Sequence, residues 1–583
     1  MITIVFYKFL FFLSDILQIQ RTSFYRFLKY QFGMEWKPGK FREGLKFNYD
    51  FIHNNYKFIK PALNIEQSII GSKTYCCHFY IPVRFSFLNE SQIQWVLLGT
   101  LPLLTRRAHF IINGTPRIIL NQIVRSPGIY FNKTRESIYY AEIIFQRGPW
   151  IRLEIDYKKK LWICIQKMPR LPFEIFLKNF HQKYRASLHL NDLTTFPTKK
   201  LKFLNFHLGK VGRFQVNKKF NISLNNLDLT PIDLIIISQY LFNHQALDDR
   251  DDLTNRRLKT IGEIIYNELT RGFIRLKNTF VQNLQKNKKF EQIIETCSNN
   301  EASSGLQKLI AIKALNYQPI NSTLKEFFNS HQLSQYLDQS NPLAEITHKR
   351  RLSCLGSGGI NNENAGMEIR GIHRTHYGRI CPIETPEGQN AGLVNSLTIA
   401  VHINSQGFLE TPFVEIYKQH YQNQKKVVFF CVEKQMSQNV FFSPKFLKSQ
   451  NLFVPIIKSQ NQKKCSVYDV NYIAFNSQQF ISIGTTCIPF VEHNDANRAL
   501  MGSKMQRQAL PLIKLEQPIV NTLNSFRVIS DLRDIPISNQ SGIIIYQSSR
   551  VNKISSLFYE TPKISKSNIF WLDKIFFNFK ISL

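Results

Sequence analysis

Apolar and polar positions change period several times along the chain. Cys77–Phe87 and Phe110–Ile119 are rich in aromatic and β-branched residues, which predicts short strands. Asn113-Gly114 splits the second run between apolar flanks and predicts a hairpin turn. Lys158–Lys160 separates two further strand candidates, Trp150–Tyr157 and Leu161–Gln166. From about 170 to 320 the pattern becomes helical. Pro231–Phe242 predicts a buried helix with proline in its first turn, and Leu258–Leu276 carries apolar residues at helical spacing. Gln282–Gln292, rich in Lys and Gln, predicts a solvated stretch. Leu324–Gln339 predicts an amphipathic helix with Leu324, Phe327, Phe328 and Leu337 on one face. Asn341-Pro342 opens another helix, with Asn as cap and Pro at the first position. Its last turn holds His348, Lys349, Arg350 and Arg351, which suits the negative end of a helix, and Gly356, Gly358 and Gly359 end it. The expected fold class is α+β and multidomain.

The 583 residues suggest roughly four domains at ~150 residues each. No internal repeat and no long Gly/Ser linker is visible, so domain borders must be short loops. At 43% hydrophobic residues the chain does not read as globally disordered. There are 75 Lys+Arg against 41 Asp+Glu, a formal charge of +34. That field attracts polyanions, nucleic acid ahead of an acidic membrane, because no lipid-binding helix stands out. Nine cysteines occur without a C-x-x-C pair, which argues against a disulfide framework or a Cys-rich zinc module. Met1–Leu17 is apolar and aromatic but interrupted by Lys8. It lacks a basic start and a cleavage site, is too short for a membrane span and is not Ser/Arg-rich like a transit peptide. The expectation is a soluble protein, without membrane partners, made where it works.

Several chemistries have no motif. No phosphate-binding G-x-x-x-x-G-K-[ST] occurs; Gly209-Lys210-Val211-Gly212 reads as a basic turn. No H-E-x-x-H occurs. Asp248, Asp249, Asp251 and Asp252 could attract Mg²⁺ but read better as a solvated turn and helix cap before Asn255-Arg256-Arg257. His373, His376 and Cys381 lack a fourth zinc ligand. The informative stretch runs from 324 to 416. It combines cations at a helix end, Gly-rich turns and the turn Thr385-Pro386-Glu387-Gly388. Arg and Lys beside close-approaching Gly loops suit a phosphate backbone.

QLSQYLDQSNPLAEITHKRRLSCLG, from Gln332, is similar to the rifamycin-pocket segment of the β subunit of bacterial and plastid RNA polymerases. THYGRICPIETPEGQNAGLVNSL resembles the segment that follows. LPLLTRRAHFIINGTPRIILNQIVRSPGIYF (Leu101–Phe131) and EHNDANRALMGSKMQRQALPLI (Glu492–Ile513) resemble further motifs of that family, and LGKVGRFQVNKKF from Leu208 and DDLTNRRLKTIGE from Asp251 are weaker matches. The matches run in family order from about 95 to 550. NQIVRSPGIYF and the Phe-, Ile-, Lys- and Asn-rich composition lean toward plastid relatives, with a bacterial cytoplasm as the alternative.

The resemblance implies a lobe, protrusion and fork architecture with the C-terminal half missing. Its implied parts are a variable N-terminal extension (1–60), a protrusion-like part (61–150), a lobe-like domain (151–310), a protrusion return with fork and rifamycin pocket (311–420), a wall near hybrid and nucleotide (421–550) and a divergent tail (551–583). By position, Gln335, Tyr336, Asp338, His348, Arg351, Ser353 and Leu355 match the rifamycin-contact segment. Arg125 matches an upstream arginine near nucleic acid, and Glu387 and Asn390 match a turn beside the RNA–DNA hybrid. Arg498, Lys504, Arg507 and Gln508 match a segment near the incoming nucleotide and RNA end. Read structurally, Leu355 and Tyr336 pack, and Asp338 pairs with a base or caps amides. The sequence departs from the family with Ser357 for proline, Asn362 and Asn364 for fork-loop arginines, Arg374 for proline and Lys504 for asparagine.

The implied activity is DNA-directed RNA synthesis within a complex. No catalytic residue, metal site or cofactor is expected on this chain; Mg²⁺ would be held by the β′ subunit. Implied partners are DNA, RNA, α, β′, sigma factor and a separate polypeptide carrying the β C-terminal part. The competing reading is a non-catalytic, polymerase-derived nucleic-acid scaffold.

Overall fold

The computed structural model describes residues 15–32, 47–51, 56–87, 90–133, 138–166, 168–185, 206–243, 247–286, 317–361, 363, 365–417, 420–421, 427–443, 453–458, 461–514, 516, 518–532, 542–547 and 552–556. Asn362 and Asn364 lie outside them, as do most of Met1–Leu17, residues 287–292 and most of the 551–583 tail. The chain forms two units, each assembled from separated stretches: 1–120 with 261–351 and 482–583, and 121–260 with 352–481.

In the first unit the long strands Cys76–Phe87 and Glu90–Pro102 pair antiparallel, and Phe47–Phe51 and Lys57–Ile59 pair along the other edge of Cys76–Phe87. Phe110–Ile112 and Thr115–Ile119 form the expected hairpin, with Asn113 at φ 51° and Gly114 at φ 77°. Both central residues being left-handed matches the twist of the flanking strands. Helices Ile261–Lys286 and Gln318–Ser330 pack with these sheets around Phe79, Leu98, Phe110, Ile265, Leu324 and Phe328.

Within residues 1–60, Gln18–Arg26 is a helix that continues as a π turn, Phe27–Gln31. Phe24, Phe27 and Phe32 join the core; Phe24 meets Phe110 edge-on at 5.7 Å and Phe32 meets Phe79 at 5.3 Å. A helix this short shows its apolar side as a few aromatics rather than a long stripe. The helix expected over Leu324–Gln339 ends at Ser330, and Ser334–Tyr336 is a strand paired with Arg117–Ile119. A free edge of backbone donors and acceptors outcompetes local helical spacing there, while Leu337 stays buried. Helical spacing from Leu258 also begins late, because Arg256–Lys259 is a strand before Ile261–Lys286.

The second unit contains a five-stranded antiparallel sheet in the order Leu171–Pro172, Leu161–Ile165, Ile151–Ile155, Tyr139–Ile144, Gly128–Lys133. Ile151, Leu153 and Ile155 are buried while Arg152 and Glu154 alternate outward. Helices Phe173–Arg185, Gly209–Phe220 and Pro231–Phe242 contribute to the core of Ile143, Leu153, Ile163, Phe176, Val216, Leu234 and Ile237. Thr230 caps the last helix in a capping box with Asp233, and Pro231 opens it. Arg213 makes a bidentate pair with buried Asp233 at 2.9 and 3.0 Å.

Two corrections apply here. Gly209–Gly212 is the first turn of a helix rather than a free basic turn. The acidic run does not cap a helix: Asp252 accepts from Thr254 N at 2.8 Å, and Arg256–Lys259 continues as a strand against Asn121–Arg125. Asn121–Arg125 also pairs in parallel with Leu352 and Ser353. A further sheet is built on Leu409–Tyr417. Among the described residues no helix is long and apolar enough to cross a membrane.

The N-terminal helix depends on one small residue. A Cβ on Gly262 would lie 2.5 Å from Ser23 O and 2.8 Å from Phe27 Cβ. Gly262→Ala is expected to destabilise the protein by about 1–3 kcal/mol, read as a lower urea midpoint at unchanged slope. An unchanged midpoint would separate residues 18–32 from the core.

Candidate nucleic-acid interface

In the first unit, Asn341 is extended (φ −155°, ψ 165°) and caps the helix Pro342–Lys349 by accepting from Ala344 N at 2.7 Å. Its amide nitrogen faces three carbonyl oxygens at the end of the helix Ala496–Gln508. They belong to Gln506 at 3.0 Å, Arg507 at 3.0 Å and Ala509 at 2.9 Å. One side chain thus accepts from a donor at one helix start while its two N–H groups are shared among the carbonyls at another helix end. Within Ala496–Gln508, Ala499 and Ser503 face inward. Arg498, Met501, Lys504, Met505 and Gln508 are exposed on the opposite arc, and Arg507 is half-buried.

His348 is buried beside this junction. Its Nε2 lies 3.0 Å from Gln335 Oε1, and its Nδ1 accepts from Asp338 N at 3.2 Å. With Nδ1 accepting from a backbone amide, the ring is neutral and Nε2 donates to Gln335. Burial, followed by the charge of Arg351, pushes the His348 pKa down to about 4. Asp338 accepts from Ser340 N at 3.1 Å and Ser340 Oγ at 2.7 Å. Burial works to raise this carboxyl, but those hydrogen bonds and Arg351 outweigh it and hold it below the ordinary value. Asp338 therefore caps a backbone amide. Tyr336 is 63% exposed, with the Arg117 guanidinium 4.1 Å from its ring centre. Arg117 is itself buried and donates to Phe328 O at 2.6 Å.

The cations expected at the helix end separate into two groups. Lys349 and Arg350 are each 2% exposed. Lys349 pairs with Glu345, and Arg350 donates to Ile16 O at 2.5 Å. They hold the fold together and cannot face a solvated polyanion. Arg351 is half-buried.

In the second unit, Arg125 pairs with Glu142 at 2.6 Å. Ser353 is buried and accepts from Leu355 N at 3.1 Å; Leu355 packs against Leu393 and Val394. Gln122 donates to Leu355 O at 2.9 Å and Ser357 O at 3.1 Å, pinning this stretch from below. Glu387 and Asn390 stand exposed on a turn. Arg370 holds that turn by donating to Gln389 O at 2.6 Å and Ala391 O at 2.8 Å. A Cβ on Gly392 (φ +75°) would lie 2.6 Å from Arg370 O, so only glycine admits this approach. A Cβ on Gly388 would meet nothing within 4 Å, which leaves the turn's outer side open.

The acidic run is internally satisfied. Asp248 accepts from Phe131 N and pairs with Lys219, and Asp249 accepts from Asp251 N and meets His373 Nε2 at 3.1 Å. Among the described residues no group of three His, Cys, Asp or Glu side chains could hold a metal ion.

Two family models match the chain: RNA polymerase Rpb2 domain 2 over residues 179–259 and domain 3 over residues 335–403. The DNA-directed RNA polymerase subunit beta of Oltmannsiellopsis viridis is 36% identical over 96% of this chain and 48% of that protein. That of Mesostigma viride is 37% identical over 96% of this chain and 55% of that protein. The protein of Chlamydomonas reinhardtii called DNA-directed RNA polymerase subunit beta N-terminal section is 33% identical over 94% of this chain and 85% of that protein. The chain belongs to the family of DNA-directed RNA polymerase β subunits. It spans about half the length of the first two relatives.

Within that family frame, the first unit brings together Gln335, Asp338 and His348, and joins their segment to the one carrying Arg498, Lys504, Arg507 and Gln508. Arg125, Ser353, Leu355, Glu387 and Asn390 belong to the second unit. Two positioning residues escaped the sequence reading. Asn341 was legible as a cap, but nothing local marks its three distant carbonyls. Arg370 has no motif at all.

Asn341→Ala is expected to cost about 2–3 kcal/mol, the cap plus the unsatisfied carbonyls, measured by urea unfolding. Asn341→Ser retains the cap, so its smaller loss isolates the carbonyl contacts. A second expectation concerns pH. The unfolded chain protonates His348 near its ordinary 6.5, whereas the folded chain does so near 4. Stability tied to the neutral ring is complete above pH 6.5 and is lost as pH falls toward 4, by up to about 3 kcal/mol. His348→Gln should flatten that part of the stability–pH curve. Superimposable slopes for the two proteins would show a ring that titrates normally.

Proposed function

We propose that this chain forms part of one wall of the active-centre cleft of a plastid DNA-directed RNA polymerase, positioning template DNA, the RNA–DNA hybrid and the incoming nucleotide. One observation carries this reading. Asn341 fastens the segment of Gln335–Arg351 to the helix whose exposed arc presents Arg498, Lys504 and Gln508, so two distant motifs act as one rigid, basic element. Preorganised cations of this kind neutralise phosphate charge without reorganising when substrate arrives.

On this reading, Arg351, Arg498, Lys504, Arg507 and Gln508 lie near nucleotide and RNA. Glu387 and Asn390 border the hybrid on the turn held by Arg370, and Arg125, steered by Glu142, meets nucleic acid upstream. In the first unit, Tyr336 and Gln335 give the rifamycin-pocket-like segment its outward face, and Asp338 and His348 support it from within; Ser353 and Leu355 are the matching positions carried by the second unit. The architecture is that of a lobe, protrusion and fork.

RNA synthesis is an in-line phosphoryl transfer that Mg²⁺ assists by neutralising charge on the attacking and leaving oxygens. Asp248 and Asp249 do not fit such a site, because their carboxylates are engaged by backbone amides, Lys219 and His373, and among the described residues no group of three His, Cys, Asp or Glu side chains could hold a metal ion. The ions would reside on β′. A separate polypeptide would carry the C-terminal part of β, a reading supported by the Chlamydomonas relative that is itself called an N-terminal section. The apolar surface at Leu510, Leu512, Ile513, Ile519 and Phe526 suits burial against such partners. Sigma factor and α complete the expected assembly.

Purification of the chain from its native source at moderate salt tests this. The expected stoichiometric partners are α, β′ and a polypeptide with the β C-terminal sequence, with templated RNA synthesis by the assembly. Recovery without β′ would overturn the enzyme reading in favour of a nucleic-acid scaffold.

A further inference from the structure

In the first unit, helices Ile261–Lys286 and Gln318–Ser330 lie close together because Gly272 has no side chain. A Cβ there would lie 2.7 Å from Thr323 Oγ1 and 3.2 Å from Ile320 Cα. Asn321 fastens the second helix to the strand Glu90–Pro102. Its Oδ1 accepts from Thr100 N at 2.9 Å and from Thr100 Oγ1 at 3.2 Å. Beside these contacts, helices and strand ends leave a cavity of about 770 Å³. That lies within the ~300–1,000 Å³ of small-molecule sites.

The lining has two kinds of surface. Leu324 and Phe328, both buried, give it an apolar floor with Ile112. Arg275 and Lys325 add a cation from each helix, and among the described lining residues there is no Asp or Glu. Among the described residues Lys325 has no ion-pair partner. Arg275 meets Glu326 at 3.0 Å, but the two side chains are 40% and 54% exposed. A solvated pair of this kind is weak, so the guanidinium is available to a better partner. The Thr100 amide fixes which end of the Asn321 side chain is oxygen, so its nitrogen offers donors only. Donors and cations over an apolar floor, with no opposing carboxylate, match an apolar molecule that ends in an anion.

We propose that this cavity is a binding site for a small amphipathic organic anion, an apolar body bearing a carboxylate, sulfonate or phosphate. The body covers Leu324 and Phe328, and the anion meets Arg275, Lys325 and the Asn321 amide. Gly272 and Asn321 fix the walls before a ligand arrives, so little ordering opposes its entry. The inference goes beyond the polymerase reading and does not depend on it, since every group it uses belongs to the first unit.

Cys76 forms part of the cavity wall and supplies a local readout. Its alkylation by N-ethylmaleimide in the assembled enzyme is followed by peptide mass spectrometry, with Cys465 of the second unit as control. The probe is anilinonaphthalene sulfonate, and N-phenylnaphthylamine is the same body without the anion. The sulfonate should protect Cys76 saturably and spare Cys465, at a concentration lower than the neutral probe needs by about tenfold or more. Arg275→Gln/Lys325→Gln, at solvated positions, should abolish that difference and leave protection by the neutral probe unchanged. Ser322→Trp, which fills the space from an exposed helix position, should abolish protection by both probes at an unchanged urea midpoint. Absence of protection, equal protection by the two probes in wild type, or a sulfonate preference that survives the double variant would overturn the proposal. So would a Cys76 that reacts in the free chain but not in the assembled enzyme, which would place a protein partner on the cavity. If Cys76 resists alkylation in both, the difference in probe fluorescence between wild type and Ser322→Trp is read by the same criteria.

Discussion

Everything at the basic element of the first unit depends on how one amide is shared. Asn341 must accept from the start of one helix while donating to the end of another. An asparagine side chain does both, because its oxygen and nitrogen point to opposite sides. Aspartate would place an oxygen against three carbonyls, and serine lacks the reach. The orientation of the arc carrying Arg498, Lys504 and Gln508 follows from this junction, and so does the pocket in which His348 stays neutral.

The charge of +34 serves two purposes. Arg213, Lys349, Arg350 and Arg379 are buried, and their cations are matched by carboxylates or carbonyl oxygens inside the fold. Burial alone would make such charges expensive, so each arrives with its partners. Arg379 shows the strain of this arrangement: burial pushes its pKa down to about 10 although it donates to Leu409, Thr375, Tyr377 and Phe430 carbonyls. The exposed cations at Arg498, Lys504 and Lys158–Lys160 retain their field in water. Counting basic residues cannot separate these classes, because the separation is one of dielectric surroundings rather than residue type.

The fold was most legible where short-range chemistry decides it. Asn113-Gly114, Thr230-Pro231 and Asn341-Pro342 form the predicted turn and helix starts, because left-handed φ and capping act within four residues. The strands around Lys158–Lys160 likewise follow from alternation over a few positions. Legibility failed where a distant edge or surface intervened. Ser334–Tyr336 left its helical pattern for a strand edge more than 200 residues away, and Gly209–Gly212 entered a helix whose start packs on Pro127.

The candidate site divides in the same way. The sequence by itself determined membership of a family, the order of its motifs, the residue types able to meet phosphate and the local caps that start its helices. These rest on identity and near-neighbour chemistry, which a linear string carries in full. Only the tertiary structure decided which cations stay in water, that His348 is a neutral hub rather than a charged contact, that Asn341 and Arg370 hold the presenting elements, and that residues 18–32 belong to a core. Those properties depend on desolvation and on hydrogen-bond partners hundreds of residues apart, and both come into being only when the chain has folded.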